Sequence, residues 1–351
     1  MCATSIAKPL TQKPNILGLS LEALKEKAPG LGLKSFQCTQ IMEWLYQHNV
    51  SDFEHMTNLS KANRQLLGQT FDHHWFSDLQ VLPSHNQEAI KYVYTLLDGA
   101  KVESVVLKEK KYTTLCVSSQ AGCPVDCKFC LTGVVGFKRN LLTHEIVGQI
   151  FKAKQDGHAI SHLVFMGMGE PLLNYDALFE AIAILNAPYG FCISKRKMTV
   201  STAGYLQGIK RLIEDKHYIN LAFSVGNANP QKRIQLMPIE GRNPIMDVVK
   251  TLHHYLSLHN RKLTLEYTLL EGQNDGMEDI RELCQLAKYL KAKINLINLN
   301  PHPKILFKPV STKTLLFIKQ TIEECRVPVT IRYKKGQDIA AACGQLGESY
   351  L

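Results

Sequence analysis

The stretch Cys123-Pro124-Val125-Asp126-Cys127-Lys128-Phe129-Cys130 places three thiols within eight residues, separated by gaps of three and two. A set this close can converge on one inorganic centre. It supplies one thiolate fewer than the four that close a tetrahedral zinc site or a cubane iron–sulfur cluster. The deficit admits two readings. A structural zinc would take its fourth ligand from a remote residue, although the second Cys-x2-Cys knuckle that usually accompanies such a site is absent. A [4Fe-4S] cluster would instead keep one iron open to a small chelating molecule.

The flanking sequence predicts where such a loop sits. From Thr113 onward, β-rich runs alternate with helical periodicity. Strands are expected over 115–118, 163–166, 198–201, 219–224, 263–270, 294–299 and 329–333, and helices over 143–154, 176–185, 206–214, 244–258, 277–290 and 312–324. Repeated βα units imply a parallel sheet with helices outside it. Six or so of them suit a partial (βα)6 barrel of the TIM type better than a short doubly wound sheet, so the expected fold class is α/β. Upstream, the alternating runs 89–96 and 101–106 read as a hairpin joined through Asp98-Gly99. Phe36, Ile41, Trp44 and Leu45 recur at helical spacing up to Asn49, and Ser60 can cap a second helix carrying Ala62, Leu66 and Leu67. The expected organisation is a helical accessory domain over 1–88, a β-hairpin linker over 89–112, and a barrel with a C-terminal segment over 113–351.

Composition bounds the partners. The 351-residue chain is 45% hydrophobic, enough for a well-buried core, and has no run of about 18 apolar residues that would cross a membrane. The N-terminus lacks an apolar stretch followed by a small-residue cleavage site, so a soluble, cytoplasmic protein is expected. Cys2, Cys38, Cys192, Cys284 and Cys325 are scattered singly and read as buried or inert thiols rather than a disulfide framework. A net charge of +10 favours a polyanionic partner.

In a barrel the chemistry collects at the strand ends. One end leads into the cysteine loop. The others are Phe165-Met166-Gly167-Met168-Gly169-Glu170-Pro171, Ser201-Thr202-Ala203-Gly204, Ser224-Val225-Gly226-Asn227 and Asn298-Leu299-Asn300-Pro301. Glycines leave backbone open to a ligand, and Glu170 can accept from an amine. Any one of these ends could be a helix cap; together, circling one thiolate loop, they form a candidate site. On a three-thiolate cluster the open iron can chelate the amino and carboxylate groups of S-adenosylmethionine (SAM), and electron transfer then yields a 5′-deoxyadenosyl radical that the protein must orient and keep dry.

Over roughly residues 35 to 349 the sequence resembles the radical SAM enzymes, and within them the RlmN/Cfr group of RNA adenosine methyltransferases. The resemblance rests on Leu115-Cys116-Val117-Ser118-Ser119-Gln120 ahead of the cysteine loop, and on Thr132-Gly133 and Gly136-Phe137-Lys138-Arg139-Asn140 after it. It extends to Met166-Gly167-Met168-Gly169-Glu170-Pro171-Leu172-Leu173-Asn174 and Asp338-Ile339-Ala340-Ala341-Ala342-Cys343-Gly344-Gln345-Leu346. Pro171 and Leu173 look more like the RlmN branch, which methylates adenine C2, than the Cfr branch, which methylates C8.

The resemblance implies a substrate adenosine in 23S rRNA at the peptidyl-transferase centre, with the adenosine beside the anticodon of tRNA as a further candidate. It implies a [4Fe-4S] cluster on Cys123, Cys127 and Cys130, and two SAM molecules per turnover. One would methylate Cys343, giving an S-methylcysteine; the other would supply the radical that activates that methyl group for addition to adenine. Cys116 would then release the product by a transient disulfide with Cys343, and Glu103 would be the proton acceptor. By residue type alone, Glu103 reads as a surface glutamate on a strand. SAM contacts would come from Gly169, Glu170, Ser201, Ser224, Val225, Gly226 and Asn300. An electron donor such as flavodoxin or ferredoxin is implied, with no membrane association and a monomeric chain.

Two departures stand out. The family's usual Ser-Leu-His-Ala is Ser224-Val225-Gly226-Asn227 here, which removes a histidine; its usual Phe-Arg-Ala-Lys-Gln is Phe36-Gln37-Cys38-Thr39-Gln40, which removes two positive charges. Basic clusters at Lys108, Lys110 and Lys111, at Lys195, Arg196 and Lys197, and at Lys334 and Lys335 could follow phosphates or form solvated faces. The adenosine must be turned out of its stack to reach a buried radical. Methylation at C8, and a cluster-bearing RNA-binding protein without turnover, remain alternatives at this point.

Overall fold

In the computed structural model, residues 13–332 and 335–351 are described. Cys2, Lys334 and the last residue of the strand expected over 329–333 lie outside the described residues, as does the start of the accessory region.

The accessory region opens with α1 (Leu21–Lys27), α2 (Ser35–Tyr46) and α3 (Lys61–Thr70). Ser60 caps α3 as its side chain predicts, accepting from the Asn63 amide at 3.2 Å. On α2 the buried face is Cys38, Ile41, Met42, Leu45 and Tyr46, whereas Phe36 is exposed. The segment expected to be helical up to residue 88 ends in a strand, β1 (Phe76–Pro83), antiparallel to β2 (Ala89–Leu96). Its residues are mostly exposed and its ladder slips between Phe76 and Asp78, so no two-residue alternation marks it in the sequence.

β2 pairs with β3 (Lys101–Lys108) across the predicted Asp98-Gly99 turn, and β3 pairs antiparallel with β4 (Thr113–Cys116). A short pair, β5 (Gln120–Ala121) and β6 (Arg139–Asn140), brackets the cysteine loop and α4 (Leu131–Val135). The barrel then runs α5 (Thr143–Gln155), β7 (Ile160–Phe165), α6 (Tyr175–Asn186), β8 (Met198–Thr202), α7 (Leu206–Glu214) and β9 (Asn220–Ser224). It continues with α8 (Pro230–Leu236), α9 (Ile245–Ser257), β10 (Leu263–Leu269), α10 (Met277–Tyr289), β11 (Lys293–Asn298), α11 (Thr312–Glu324) and β12 (Val329–Ile331). From β4 onward neighbouring strands β4, β7, β8, β9, β10, β11 and β12 are parallel, giving six crossovers and a seventh strand. The ten-stranded sheet has free edges at β1 and β12, so the barrel is partial, as expected.

The accessory region and the barrel share one apolar core. Trp75 packs against α5 at Gly148, where an added Cβ would sit 2.4 Å from the indole ring. Only glycine allows the helix and the ring to approach so closely. Of the scattered cysteines, Cys38 and Cys284 are buried while Cys192 is exposed. Cys284 and Cys325 are not isolated from each other: burial raises the Cys284 thiol, and the nearby Cys325 at the end of α11 adds to the shift.

Candidate active site

The cysteine loop leaves β5 and is pinned by the Lys128 amide donating to Leu236 O (2.9 Å) and the Cys130 amide donating to Cys127 O (3.1 Å). Gly133 on α4 leaves no room for a Cβ, which would stand 2.9 Å from Cys127 O. The three cysteines line a cavity of about 160 Å³ together with Gly169, Glu170, Ser201, Ser224, Gly226 and Cys343. Burial pushes the Cys123 and Cys127 thiols well up, and for Cys127 the charges of Cys130 and Cys123 add to the effect. Three thiolates gathered here therefore call for a positively charged centre. Around zinc, with Zn–S of about 2.3 Å, thiolates stand roughly 3.8 Å apart. Among the described residues, the only three metal-ligating side chains with ligand atoms mutually within 4.8 Å are Asp72, His73 and His74. The loop supplies three thiolates, one fewer than a closed tetrahedral zinc site or a fully ligated cubane requires, which leaves one metal position open to a ligand in the cavity.

Glu170 is buried; its Oε2 accepts from the Ala203 amide at 2.7 Å and its Oε1 from the Leu172 amide at 3.3 Å. Burial raises its carboxyl to about 7, so an ammonium bound against it would hold it ionised. The glycines before it serve packing as well as access: an added Cβ would lie 2.5 Å from Ser118 Oγ at Gly167 and 2.6 Å from Gln120 Cβ at Gly169. Of the positions expected to touch SAM, Val225 does not line the cavity. Its side chain is in the main core and its carbonyl accepts from Arg233 Nε at 2.9 Å. Strand alternation explains this, since Ser224 and Gly226 face the cavity and the residue between them faces away.

Gly226 has φ +69, and a Cβ there would fall 2.4 Å from Met237 Sδ. Met237 thus occupies space that a side chain at 226 would need. Restoring the family's usual residue by Gly226→His is expected to destabilise the chain by about 1–3 kcal/mol, from overpacking and left-handed backbone strain. Urea unfolding reads this directly; an unchanged midpoint would mean that Met237 gives way freely.

A larger cavity, about 820 Å³, adjoins the first and is lined by Cys116, Cys130, Cys343 and Asn300. Asn300 Nδ2 donates to Cys343 O at 3.0 Å, while its Oδ1 is buried without a partner and free to accept from a ligand. Burial pushes the Cys116 thiol up to about 12, and the neighbouring Cys343 adds to the shift. Arg332 and Glu266, both passed over in the sequence, line both cavities. The charges of Cys343, Glu266 and Cys116 around the Arg332 guanidinium hold it firmly protonated. Glu266 is buried and accepts from Asn295 Nδ2 at 2.9 Å; burial raises its carboxyl, with Arg332 opposing. The signal available for Glu266 was a carboxylate inside an apolar parallel strand; for Arg332 it was a cation immediately after the last one.

Glu103 is fully buried rather than on the surface. It shares a face of β3 with Val105 and Leu107, which line the larger cavity, but lines neither cavity itself. The C-terminal turn covers it: the Ser349 amide donates to Glu103 Oε1 at 3.1 Å, and Lys91 Nζ stands 3.8 Å from Glu103 Oε2 and 3.6 Å from Glu348 Oε2. The segment carrying Cys343 is tied to α4 by the Leu131 amide donating to Gly344 O (2.8 Å) and Thr132 Oγ1 donating to Leu346 O (2.7 Å).

Comparison with known proteins agrees with this arrangement. Residues 14–72 match the ribosomal RNA large subunit methyltransferase N-terminal domain, and residues 117–287 match the radical SAM superfamily. The "Dual-specificity RNA methyltransferase RlmN" of Halorhodospira halophila is 41% identical over 340 residues, covering 94% of this chain and 92% of that protein. The "Probable dual-specificity RNA methyltransferase RlmN" of Aquifex aeolicus is 37% identical over 337 residues, covering 94% and 96%. The chain belongs to the RlmN family. A crystal structure of a radical SAM methyltransferase from Sphaerobacter thermophilus superposes with a TM-score of 0.90 at 34% identity, covering 95% of this chain and 98% of that one. Membership of the radical SAM superfamily implies SAM and a [4Fe-4S] cluster, which the donor set described above fits. Among the described residues, no helix of this RlmN-family chain is long and apolar enough to cross a membrane.

Proposed function

We propose that the protein methylates C2 of an adenosine in 23S rRNA, and of the adenosine beside the anticodon in tRNA, by way of an S-methylcysteine at Cys343. The observation that carries this reading is the meeting of Cys116, Cys343 and the loop residue Cys130 on one cavity. Adenine C2 is electron-poor and cannot take a methyl group as a nucleophile, so the carbon must first be stored elsewhere. A half-buried thiol at the boundary of both cavities is suited to hold it. A bound cluster with SAM would supply one-electron chemistry at the cysteine loop, fed by a donor such as flavodoxin or ferredoxin.

The chain's own residues then have distinct tasks. Cys123, Cys127 and Cys130 hold the cluster. Glu170, Ser201 and Ser224, with the backbone at Gly169 and Gly226, orient SAM against it. Cys343 first receives a methyl group from one SAM, and that carbon is later joined to adenine with a second SAM consumed. Cys116 sulfur bonds to Cys343 sulfur as the bond between Cys343 sulfur and the transferred carbon breaks. The methyl group leaves with the RNA, and a two-electron reductant reopens the disulfide. Glu103 is assigned the proton transfer that accompanies release, which requires the turn at 348–350 to lift from it.

The names of the relatives support two RNA substrates. The test is nucleoside mass spectrometry after anaerobic reconstitution and incubation with 23S rRNA and tRNA transcripts. 2-Methyladenosine is expected in both; a product methylated only at C8 would overturn the assignment, and product in rRNA alone would remove tRNA from it.

A further inference from the structure

The larger cavity extends beyond the thiols. Besides Cys116 and Cys343 near the strand finishes, its lining includes Tyr112, His162, Arg196, Lys197, Lys262 and Lys293. Every one of these lies at or near a strand start: Tyr112 precedes β4, His162 is early in β7, Lys197 precedes β8, Lys262 precedes β10 and Lys293 begins β11. The sheet is parallel here, so these starts share one end of the barrel, opposite the cysteine loop. We infer that this end is the entrance for single-stranded RNA, with Arg196, Lys197, Lys262 and Lys293 on phosphates and the Tyr112–His162 pair under an unstacked base. The inference rests on the RNA methyltransferase reading and says where that substrate comes in.

Three observations carry it. The four cations are exposed, and none takes part in an ion pair among the described residues, so their charge is free for a polyanion. Lys335 on the same lining differs, being matched by Glu109 at 2.8 Å. The rings of Tyr112 and His162 stand with centroids 4.8 Å apart, and Tyr112 is 47% exposed. Burial, with Lys197 adding, lowers the pKa of His162, which leaves a neutral ring beside the phosphate contacts. Basic side chains interleaved with aromatic ones are the usual equipment for gripping a single strand. Finally, Tyr112 to Cys116 is four residues of strand, about 13 Å of depth, which suits a nucleotide turned out of its stack. The accessory region's loss of two cations at Gln37 and Thr39 leaves more of the grip to this mouth.

The test measures fluorescence anisotropy of the reconstituted full chain with a labelled stem-loop transcript from the peptidyl-transferase centre of 23S rRNA, across a salt series. Lys262→Ala with Lys293→Ala is expected to weaken binding about tenfold at moderate salt and to reduce the slope of log affinity against log salt by about 1.5. Tyr112→Ala is expected to weaken it about 5- to 150-fold while leaving that slope unchanged. Iron content should match the wild type in each. A control pair, Lys110→Ala with Lys111→Ala, lies off the cavity lining and should have the smaller effect. Wild-type binding with unaltered affinity and slope in the mouth variants, or an equal loss in the control pair, would overturn the entrance. A wild-type protein that neither binds nor methylates the RNA would instead overturn the functional reading beneath it.

Discussion

Replacing Cys343 with alanine is expected to lower RNA methylation by on the order of 10⁴-fold or more, to the limit of detection, while the chain keeps its iron. In the proposed route the size follows from removing an atom that forms a bond, for which no neighbouring group substitutes. Retention of iron follows from geometry. Cys343 borders the smaller cavity but the loop's backbone bonds run through Leu236 O and Cys127 O, and the tie from Gly344 O to the Leu131 amide is made by backbone and survives the substitution. Iron analysis and nucleoside mass spectrometry on one preparation separate the two effects. Methylation at the wild-type rate in Cys343→Ala would show that the carbon does not travel through this sulfur. Loss of iron would show that the residue is a cluster ligand instead.

Cys116→Ala is expected to give a different failure: a protein–RNA adduct that survives denaturation, with less than one methylated adenosine released per chain. In the proposed route, without the second thiol nothing cleaves the bond between Cys343 and the transferred carbon. Denaturing gel electrophoresis with labelled RNA would show the retarded band, and nuclease followed by peptide mass spectrometry would place the mass on Cys343. Free methylated RNA in multiple turnovers would eliminate Cys116 as the releasing group. The resting thiol is not poised to attack, since its pKa of about 12 leaves roughly one in 10⁴ ionised at pH 8. Burial is the first cause and the charge on Cys343 the second, with Arg332 opposing both. Alkylation of Cys343 abolishes the second cause, so Cys116 ionises more readily once there is an adduct to release.

Much of this was legible in the sequence because it depends on local spacing. α7 and α11 fall at their predicted bounds, and α5, α6, α9 and α10 within one residue at either end, since a 3.6-residue period is written into each segment; α8, only seven residues long, was not foreseen. The cysteine loop, Glu170, Ser201, Ser224 and Gly226 meet on one cavity because strand ends of a parallel sheet have to converge. What was not legible depends on pairs distant in the chain. β1 carries no alternation because it lies at an edge with most side chains in solvent. Glu103 looks like any strand glutamate until a turn two hundred and more residues later closes over it. Arg332 and Glu266 gain meaning only from the thiols and the cavity walls around them. Gly226 looked like a lost ligand, and its left-handed backbone, with Met237 Sδ standing where a Cβ would go, supplies a structural reason for glycine there.

The two cavities meet at Cys343, Arg332 and Met166, which line both, while Cys123 and Glu170 line only the smaller and Tyr112, Lys262 and Lys293 only the larger. A small cofactor and a polymer thus have separate walls to rest on and only a short stretch in common. Random rather than compulsory order of association is the expected result. Under such a scheme methylated RNA competes with unmodified RNA but is noncompetitive toward SAM in initial-rate measurements, and a chain already methylated at Cys343 can exchange its spent nucleoside fragments while RNA stays bound.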